Sequence, residues 1–143
     1  MQTRPANQSD FNFIASSYLK SYRHSPEAKH LINEIYWDTY KERLRRMLVN
    51  GQVTIASSGL EGNDILGYVI VGEPRHGVNV LHYVYMKLPA RHQGGAEALI
   101  KAVIPEFGTR MVLCTHTAKR FRELQEKYKL IYNPEYTNEN QVR

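Results

Sequence analysis

The chain has 143 residues and a formal net charge of +5, and 42% of its residues are hydrophobic. This length suits one domain with a substantial core, so we expect a single domain over residues 1–143. The sequence has no apolar run long enough for a membrane span and no signal-peptide core, while its single cysteine excludes an internal disulfide and fits a reducing compartment, for which we expect the cytoplasm.

The first half of the chain predicts two helices followed by two strands. The apolar spacing over residues 11–22 and 31–49 predicts two amphipathic helices. Residues 52–57 and 65–73 are rich in β-branched side chains and are separated by a polar turn, which is typical of paired strands.

A third strand, residues 79–88, leads into a turn that is typical of anion binding. These three strands predict an antiparallel meander. Arg91, Gly94 and Ala96 then give the spacing R-x-x-G-x-A at the start of an amphipathic helix. Gly94 and Gly95 allow the backbone to approach a ligand closely, and the free N–H groups of a helix start favour phosphate. The spacing excludes a nucleotide-binding P-loop and a dinucleotide-binding fingerprint.

The last part of the chain predicts a short buried strand over residues 111–115 and a helix over residues 118–128. After Tyr132 the sequence is polar and has room for one strand at most.

The R-x-x-G-x-A segment, preceded by a strand that ends in Met86-Lys87-Leu88, resembles the acetyl-CoA motif of the GCN5-related N-acetyltransferases (GNAT), [QR]-x-x-G-x-[GA] after V-x-P. The opening residues Arg4, Ala6 and Asp10 resemble that family's R-x-A-x-x-x-D. The resemblance implies an α/β (α+β) fold with a mixed, mostly antiparallel sheet flanked by helices, in the order β-α-α-β-β-β-α-β-α-β. It also implies transfer of an acetyl group from acetyl-CoA, as co-substrate, to a primary amine that attacks the thioester directly.

The same resemblance assigns the residues that would contact acetyl-CoA. The end of the strand would lie along the pantetheine, and the turn with the helix start would hold the pyrophosphate, with His92 contacting it through its backbone. The residues so assigned are Met86, Lys87, Leu88, Arg91, His92, Gln93, Gly94, Gly95 and Ala96.

Candidate catalytic side chains lie near this segment. In an alternating strand His82 shares a face with Val84 and Met86, and relatives carry a proposed base at the position of His82. The alternative for His82 is a core histidine bonded to a backbone group. His116 ends the strand that separates from the His82 strand and could line the same cleft, or could lie in a loop.

The general acid of relatives is a tyrosine late in the last helix, in a pattern like N-x-x-A-x-x-L-Y-E-K-x-G-F. Aligned through Leu124 and Glu126, that position holds Gln125, and the asparagine position holds Ala118. Tyr128 is then the remaining candidate acid. The closing hairpin of relatives is either incomplete here or completed by a second copy in a homodimer.

Other residues carry weaker signals. Cys114 fits a small buried hydrophobe better than a nucleophile. Residues 23–27 form the loop where relatives select acceptors, and they carry no readable code, so the amine, on a small molecule or a protein, is open. The remaining histidines lack ligand spacing, so we predict no metal: His24, His30 and His76.

The positive charge does not make nucleic acid the favoured partner, because basic side chains on an amphipathic helix are expected on its solvent face and no nucleic-acid fold signature accompanies them. Two segments, SSYLKSYRHSP and LHYVYMKLPARHQGGA, are similar to small acetyltransferase-like proteins of tailed bacteriophages. Three hypotheses follow: an N-acetyltransferase, a GNAT-like binding module without turnover, and a basic nucleic-acid adaptor.

Overall fold

The computed structural model describes residues 1–59, 64–91, 94–117 and 121–135. Within them, a mixed sheet is flanked by helices in the predicted order, with a short helical turn added after the fourth strand. The strands are β1 (Gln2–Pro5), β2 (Gln52–Ser57), β3 (Ile65–Arg75), β4 (Val78–Met86), β5 (Val112–Cys114) and β6 (Leu130–Tyr132). The helices are α1 (Phe11–Tyr22), α2 (Asn33–Asn50), the short α3 (Leu88–Arg91), α4 (Gly95–Val103) and α5 (Phe121–Tyr128).

The start of α2 differs from the sequence prediction, which placed it at Leu31. Ile32 is extended, with φ −68° and ψ 155°, so the helix begins at Asn33. The Arg23 guanidinium donates to the Leu31 carbonyl at 2.7 Å and to the Asn33 side-chain oxygen at 3.0 Å. These bonds hold the connection between α1 and α2 outside the helix.

The sheet has six strands in the order β1-β2-β3-β4-β5-β6. The first four are antiparallel neighbours, which confirms the predicted meander of β2, β3 and β4. The pairs β4–β5 and β5–β6 are parallel. Each parallel pair is connected through a helix, as parallel neighbours require.

Each face of the sheet carries its own hydrophobic core. One core lies beneath α1 and α2 and is rich in buried tyrosine: Tyr18, Tyr22, Tyr36, Tyr40 and Tyr68. The other lies beneath α4 and α5 and is mainly aliphatic: Val69, Leu81, Met86, Leu99, Ile100 and Val112. The tyrosines of α1 and α2 are buried in this first core, whereas Trp37 is 37% exposed.

The register of β4 changes at His82. Ile70 pairs with Tyr83 and Val71 with Leu81, so His82 is an extra residue in a β-bulge. Leu81 therefore packs in the α4 core, although Tyr83, two residues later, packs against the α1 core. The strict alternation expected through His82 is interrupted at this point.

Across the described ranges, none of the helices is both long and apolar enough to cross a membrane. The basic side chains of α2 are largely engaged within the helix. Glu42 binds Arg45 at 2.5 Å and Arg46 at 3.3 Å, and the Arg43 guanidinium lies 4.9 Å from the centre of the Tyr40 ring. This is the solvated helix face that the sequence predicts.

Candidate active site

The centre of the sheet contains a gap between β4 and β5. Strand β5 pairs only with Asn79–Leu81, while β4 continues to Met86. Beyond Leu81 the two strands no longer pair, and the side of β4 that faces β5 is open.

The hydrogen-bond pattern shows which backbone groups face this gap. Lys87 N–H donates to the Leu66 carbonyl at 2.8 Å, so Lys87 is bonded across the β3 ladder. In an antiparallel pair, bonded and non-bonded positions alternate, so the backbone groups of Met86 and Val84 point away from β3. They therefore point into the gap, where β5 offers them no partner.

Arg91 closes the end of β4. Its Nε donates to the Met86 carbonyl at 2.6 Å, and its guanidinium carbon lies 5.5 Å from the centre of the Tyr85 ring. The Met86 carbonyl is thus occupied, and the Met86 N–H stays directed toward the gap. Arg91 thereby anchors the turn to the strand, although the residue as a whole is exposed.

The turn that follows forms the start of α4. Gly94 has φ +72°, a left-handed conformation that favours glycine. A Cβ on Gly95 would lie 2.9 Å from both the Ala90 carbonyl oxygen and the Met86 Cε. The first bond of the helix runs from Ala98 N–H to the Gly94 carbonyl at 3.1 Å, so the N–H groups before Ala98 have no partner within the helix. Of the predicted cofactor residues, His92 and Gln93 lie outside the described residues.

His82 and His116 are joined through a threonine between them. His82 Nδ1 lies 2.9 Å from Thr115 Oγ1, and the same oxygen lies 2.9 Å from His116 Nδ1. His116 Nε2 lies 2.6 Å from the Tyr18 hydroxyl on α1. The backbone N–H of Thr115 donates to the Leu81 carbonyl at 3.3 Å, where β5 leaves β4. The structure therefore brings the two predicted histidines into one network at the mouth of the gap.

Both imidazoles are buried and neutral. His82 is 3% exposed and His116 is 6% exposed. Burial lowers the pKa of His82 to about 4. Burial, reinforced by the proximity of His82, holds the pKa of His116 well below its usual range. At neutral pH neither ring carries a charge.

Tyr128 is engaged away from these histidines. Its hydroxyl donates to Glu97 Oε2 at 2.7 Å, and its ring stacks on Phe107 with centroids 4.6 Å apart. Glu97 also binds Lys101 at 2.9 Å. Gln125, at the position of the usual tyrosine, is exposed, and Ala118 lies outside the described residues.

Cys114 is 3% exposed, and burial raises the pKa of its thiol to about 12. Its thiolate is therefore absent at neutral pH, as expected for a packing residue. In the part of the chain that the structure describes, no group of three histidine, cysteine or acidic side chains could hold a metal ion.

Sequence reasoning missed Tyr18, Thr115 and Glu27. The Thr117 hydroxyl donates to Glu27, so the loop between α1 and α2 is tied to the end of β5. Burial would raise the pKa of Glu27, but hydrogen bonds, first the one from Thr117, lower it overall. The sequence Cys-Thr-His-Thr over residues 114–117 has a threonine on each side of His116. This was the one signal in the sequence that pointed to hydrogen bonds around His116.

The fold is that of the GNAT acetyltransferases. A probable acetyltransferase of known structure aligns with a TM-score of 0.54 and 19% identity over 88% of this chain and 87% of its own. A structure described as histone acetyltransferase HPA2 and related acetyltransferase from Corynebacterium glutamicum ATCC 13032 aligns with a TM-score of 0.57 and 19% identity, over 87% of this chain and 81% of its own. Neither protein-family models nor curated protein sequences give a match to this chain.

Proposed function

We propose that this protein transfers the acetyl group of acetyl-CoA to a primary amine of a small molecule or a protein. The observation that carries the proposal is the open side of β4, where the backbone groups of Val84 and Met86 face a gap in the middle of the sheet. An extended ligand with amide groups, such as pantetheine, can bond to such an edge as an added strand would.

A phosphate site continues from this edge. The N–H groups at the start of α4 have no partner within the helix. Gly94 precedes them in a left-handed conformation, which turns the backbone into the helix at this point. Together with the terminal nitrogens of Arg91, they suit the pyrophosphate of CoA. Met86, Lys87 and Leu88 would then lie along the pantetheine, and Leu88, 63% exposed, is accessible for such a contact.

Acetyl transfer needs a neutral amine, polarisation of the thioester carbonyl and protonation of the departing thiolate. The Met86 N–H faces the gap, where a carbonyl of the pantetheine could accept from it, and the His82 network lies at the mouth of the gap. Tyr128 would have to leave Glu97 before it could protonate a thiolate.

The experiment that tests the proposal is thermal unfolding with and without acetyl-CoA. A ligand that binds the native state raises the midpoint as its concentration increases. We expect such a rise in the wild type and its loss in Arg91→Glu, which places a carboxylate beside the phosphates. Release of CoA thiol is then measured over a panel of primary amines.

The matched control is Arg110→Glu, an equal change of charge at an exposed position beyond the C-terminal end of α4. It should keep the wild-type shift. An unchanged midpoint at millimolar acetyl-CoA would contradict the proposal, and so would a shift that Arg91→Glu retains in full.

A second candidate is a CoA-binding module without turnover. It is favoured by Gln125 at the position of the usual acid and by the bond from Tyr128 to Glu97. A midpoint shift without thiol release from any amine in the panel would support this candidate over the enzyme.

The setting of the protein is also part of the proposal. The similarity of two segments to phage acetyltransferase-like proteins supports a phage origin and action in the host cytoplasm.

Strand β6 lies at one edge of the described sheet, so a homodimer could extend the sheet there. Gel filtration with light scattering would measure that oligomeric state.

A further inference from the structure

A continuous chain of hydrogen bonds runs from α1 to the gap between β4 and β5. It passes from the Tyr18 hydroxyl to His116 at 2.6 Å, from His116 to Thr115 at 2.9 Å, and from Thr115 to His82 at 2.9 Å. Tyr18 and Thr115 are both 0% exposed, so water does not compete for these groups. The order of the protons in the chain can therefore be worked out from its members alone.

Tyr18 sets the donor-to-acceptor direction of these hydrogen bonds. Within the described residues its hydroxyl has one hydrogen-bond partner, His116 Nε2. A buried O–H that does not donate costs free energy, so the phenol donates and Nε2 accepts. A neutral imidazole carries one proton, and that of His116 must then be on Nδ1.

The remaining protons follow from this assignment. His116 Nδ1–H donates to Thr115 Oγ1, and the single hydroxyl proton of Thr115 is left to donate to His82 Nδ1. His82 therefore carries its own proton on Nε2. The low pKa values of both rings agree with this neutral arrangement.

We propose that Tyr18, His116 and Thr115 are positioning residues that fix His82 as a hydrogen-bond donor, so that Nε2–H is the group it offers to a substrate in the gap. This inference rests on the proposed acetyl transfer for its substrate, the thioester, whose carbonyl oxygen gains negative charge as the amine attacks. A neutral N–H donor held in place stabilises that charge without transferring a proton. His82 then differs from the base that the resemblance implies, because the nitrogen at the gap already carries a proton.

This network of hydrogen bonds holds its protons in place and does not conduct them. Conduction toward the gap would need His82 Nε2–H to leave into the gap and every other proton to move one place along, which would make Tyr18 a phenolate. Burial raises the pKa of Tyr18 well above its usual value, so that state is strongly disfavoured. Tyr18 is therefore the fixed end of the network.

The first test is NMR of protein labelled with ¹⁵N in the histidine rings, which reports the protonated nitrogen without ligand or turnover. The expected result is His82 protonated at Nε2 and His116 at Nδ1. Tyr18→Phe removes the donor that sets the direction, so both rings should show mixed or reversed protonation. Tyr83→Phe is the matched control, because it removes the hydroxyl of a half-buried tyrosine, which bonds Ser21 at 2.5 Å and not this network.

His82 protonated at Nδ1 in the wild type would overturn the proposal, and so would an unchanged pattern in Tyr18→Phe. Because this measurement needs no acetyl-CoA, it can fail while acetyl transfer is real, and it can succeed while acetyl transfer is disproved. The two proposals are thus separable.

The second test uses turnover. His82→Ala should lower kcat by about 10²-fold, the usual effect of removing one such donor. Thr115→Val should lower kcat with little change in KM for acetyl-CoA, while Thr115→Ser, which keeps the hydroxyl, should restore it. Wild-type kcat in Thr115→Val would overturn the positioning role.

Discussion

At the scale of single residues, the opening of the chain depends on one buried carboxylate. Asp10 is 3% exposed and accepts two hydrogen bonds from the Arg4 guanidinium, at 2.8 and 2.9 Å, and one from Asn7 N–H at 2.8 Å. The Arg4 hydrogen bond, against the opposing effect of burial, lowers the pKa of Asp10. The pair joins β1 to the start of α1, which explains why arginine and aspartate are spaced in this way.

We expect Asp10→Ala to lower the free energy of unfolding by about 1–3 kcal/mol, because it leaves Asn7 N–H and a half-buried guanidinium without their acceptor. Urea unfolding at pH 7 measures this. Asp38→Ala, at an exposed carboxylate of α2, is the control and should change stability by less than about 0.5 kcal/mol. Equal effects of the two substitutions would contradict the role of Asp10. Because the pKa of Asp10 is lowered on folding, its contribution is present above its unfolded pKa and is lost as the pH falls through the folded value.

At the scale of elements, β3 and β4 approach unusually closely at Gly67. This residue pairs with Met86, and a Cβ on it would overlap the Tyr85 carbonyl oxygen. The Tyr85 carbonyl oxygen belongs to the backbone, so it cannot relieve the overlap by a change of rotamer. Glycine at this position lets the end of β4 lie against β3 while its other side stays open to the gap.

Gly67→Ala should therefore lower the free energy of unfolding by about 3 kcal/mol, the upper part of the range for overpacking. Gly77→Ala is the matched control: Gly77 has φ +77° with nothing near its Cβ position, so only backbone strain of about 1–2 kcal/mol is expected. Denaturant unfolding of both variants measures the difference. The interpretation of Gly67 is wrong if its variant is as stable as Gly77→Ala.

At the scale of the whole molecule, the buried histidines connect the tyrosine-rich core to the centre of the sheet. The His116 ring lies 5.5 Å from the Tyr18 ring and 4.8 Å from the Tyr22 ring, and Thr115 joins it to His82 on β4. The folded protein keeps both rings neutral, whereas an unfolded chain protonates them near pH 6.5. Folding is thus linked to proton release on the acid side of neutrality.

The sign of this linkage predicts loss of stability in mild acid. Since the folded pKa of His82 is lowered to about 4, the unfolded state binds more protons between about pH 6.5 and 4, and stability falls as the pH falls through that window. The lowered pKa of His82 should cost about 2 kcal/mol of the free energy of unfolding between pH 7.5 and pH 5, and that of His116 adds a loss of the same sign. Urea unfolding at the two pH values measures the total.

His82→Gln should remove the His82 part of this loss and leave the part from His116, because one of the two buried imidazoles is gone. His24→Gln, at an exposed position, should leave the loss unchanged. A wild-type free energy of unfolding that is equal at pH 7.5 and pH 5 would show that these rings are not held neutral on folding.

The sequence by itself determined the elements and their order, because apolar periodicity, β-branched runs and glycine turns are local properties of the chain. It also located the phosphate-type turn, since Gly94 and the helix start are adjacent in sequence. Element ends were less well determined: α2 begins at Asn33 because Arg23 fixes the preceding backbone.

Only the tertiary structure decided which groups the candidate side chains contact. The bulge at His82 depends on the register between β3 and β4, and the contact of Tyr18 with His116 joins residues 98 positions apart. Tyr128 was predicted as an acid from its place in a helix, yet packing between α4 and α5 gives its hydroxyl to Glu97. Burial, register and long-range hydrogen bonds arise when the elements pack together, and no local pattern of residues encodes them.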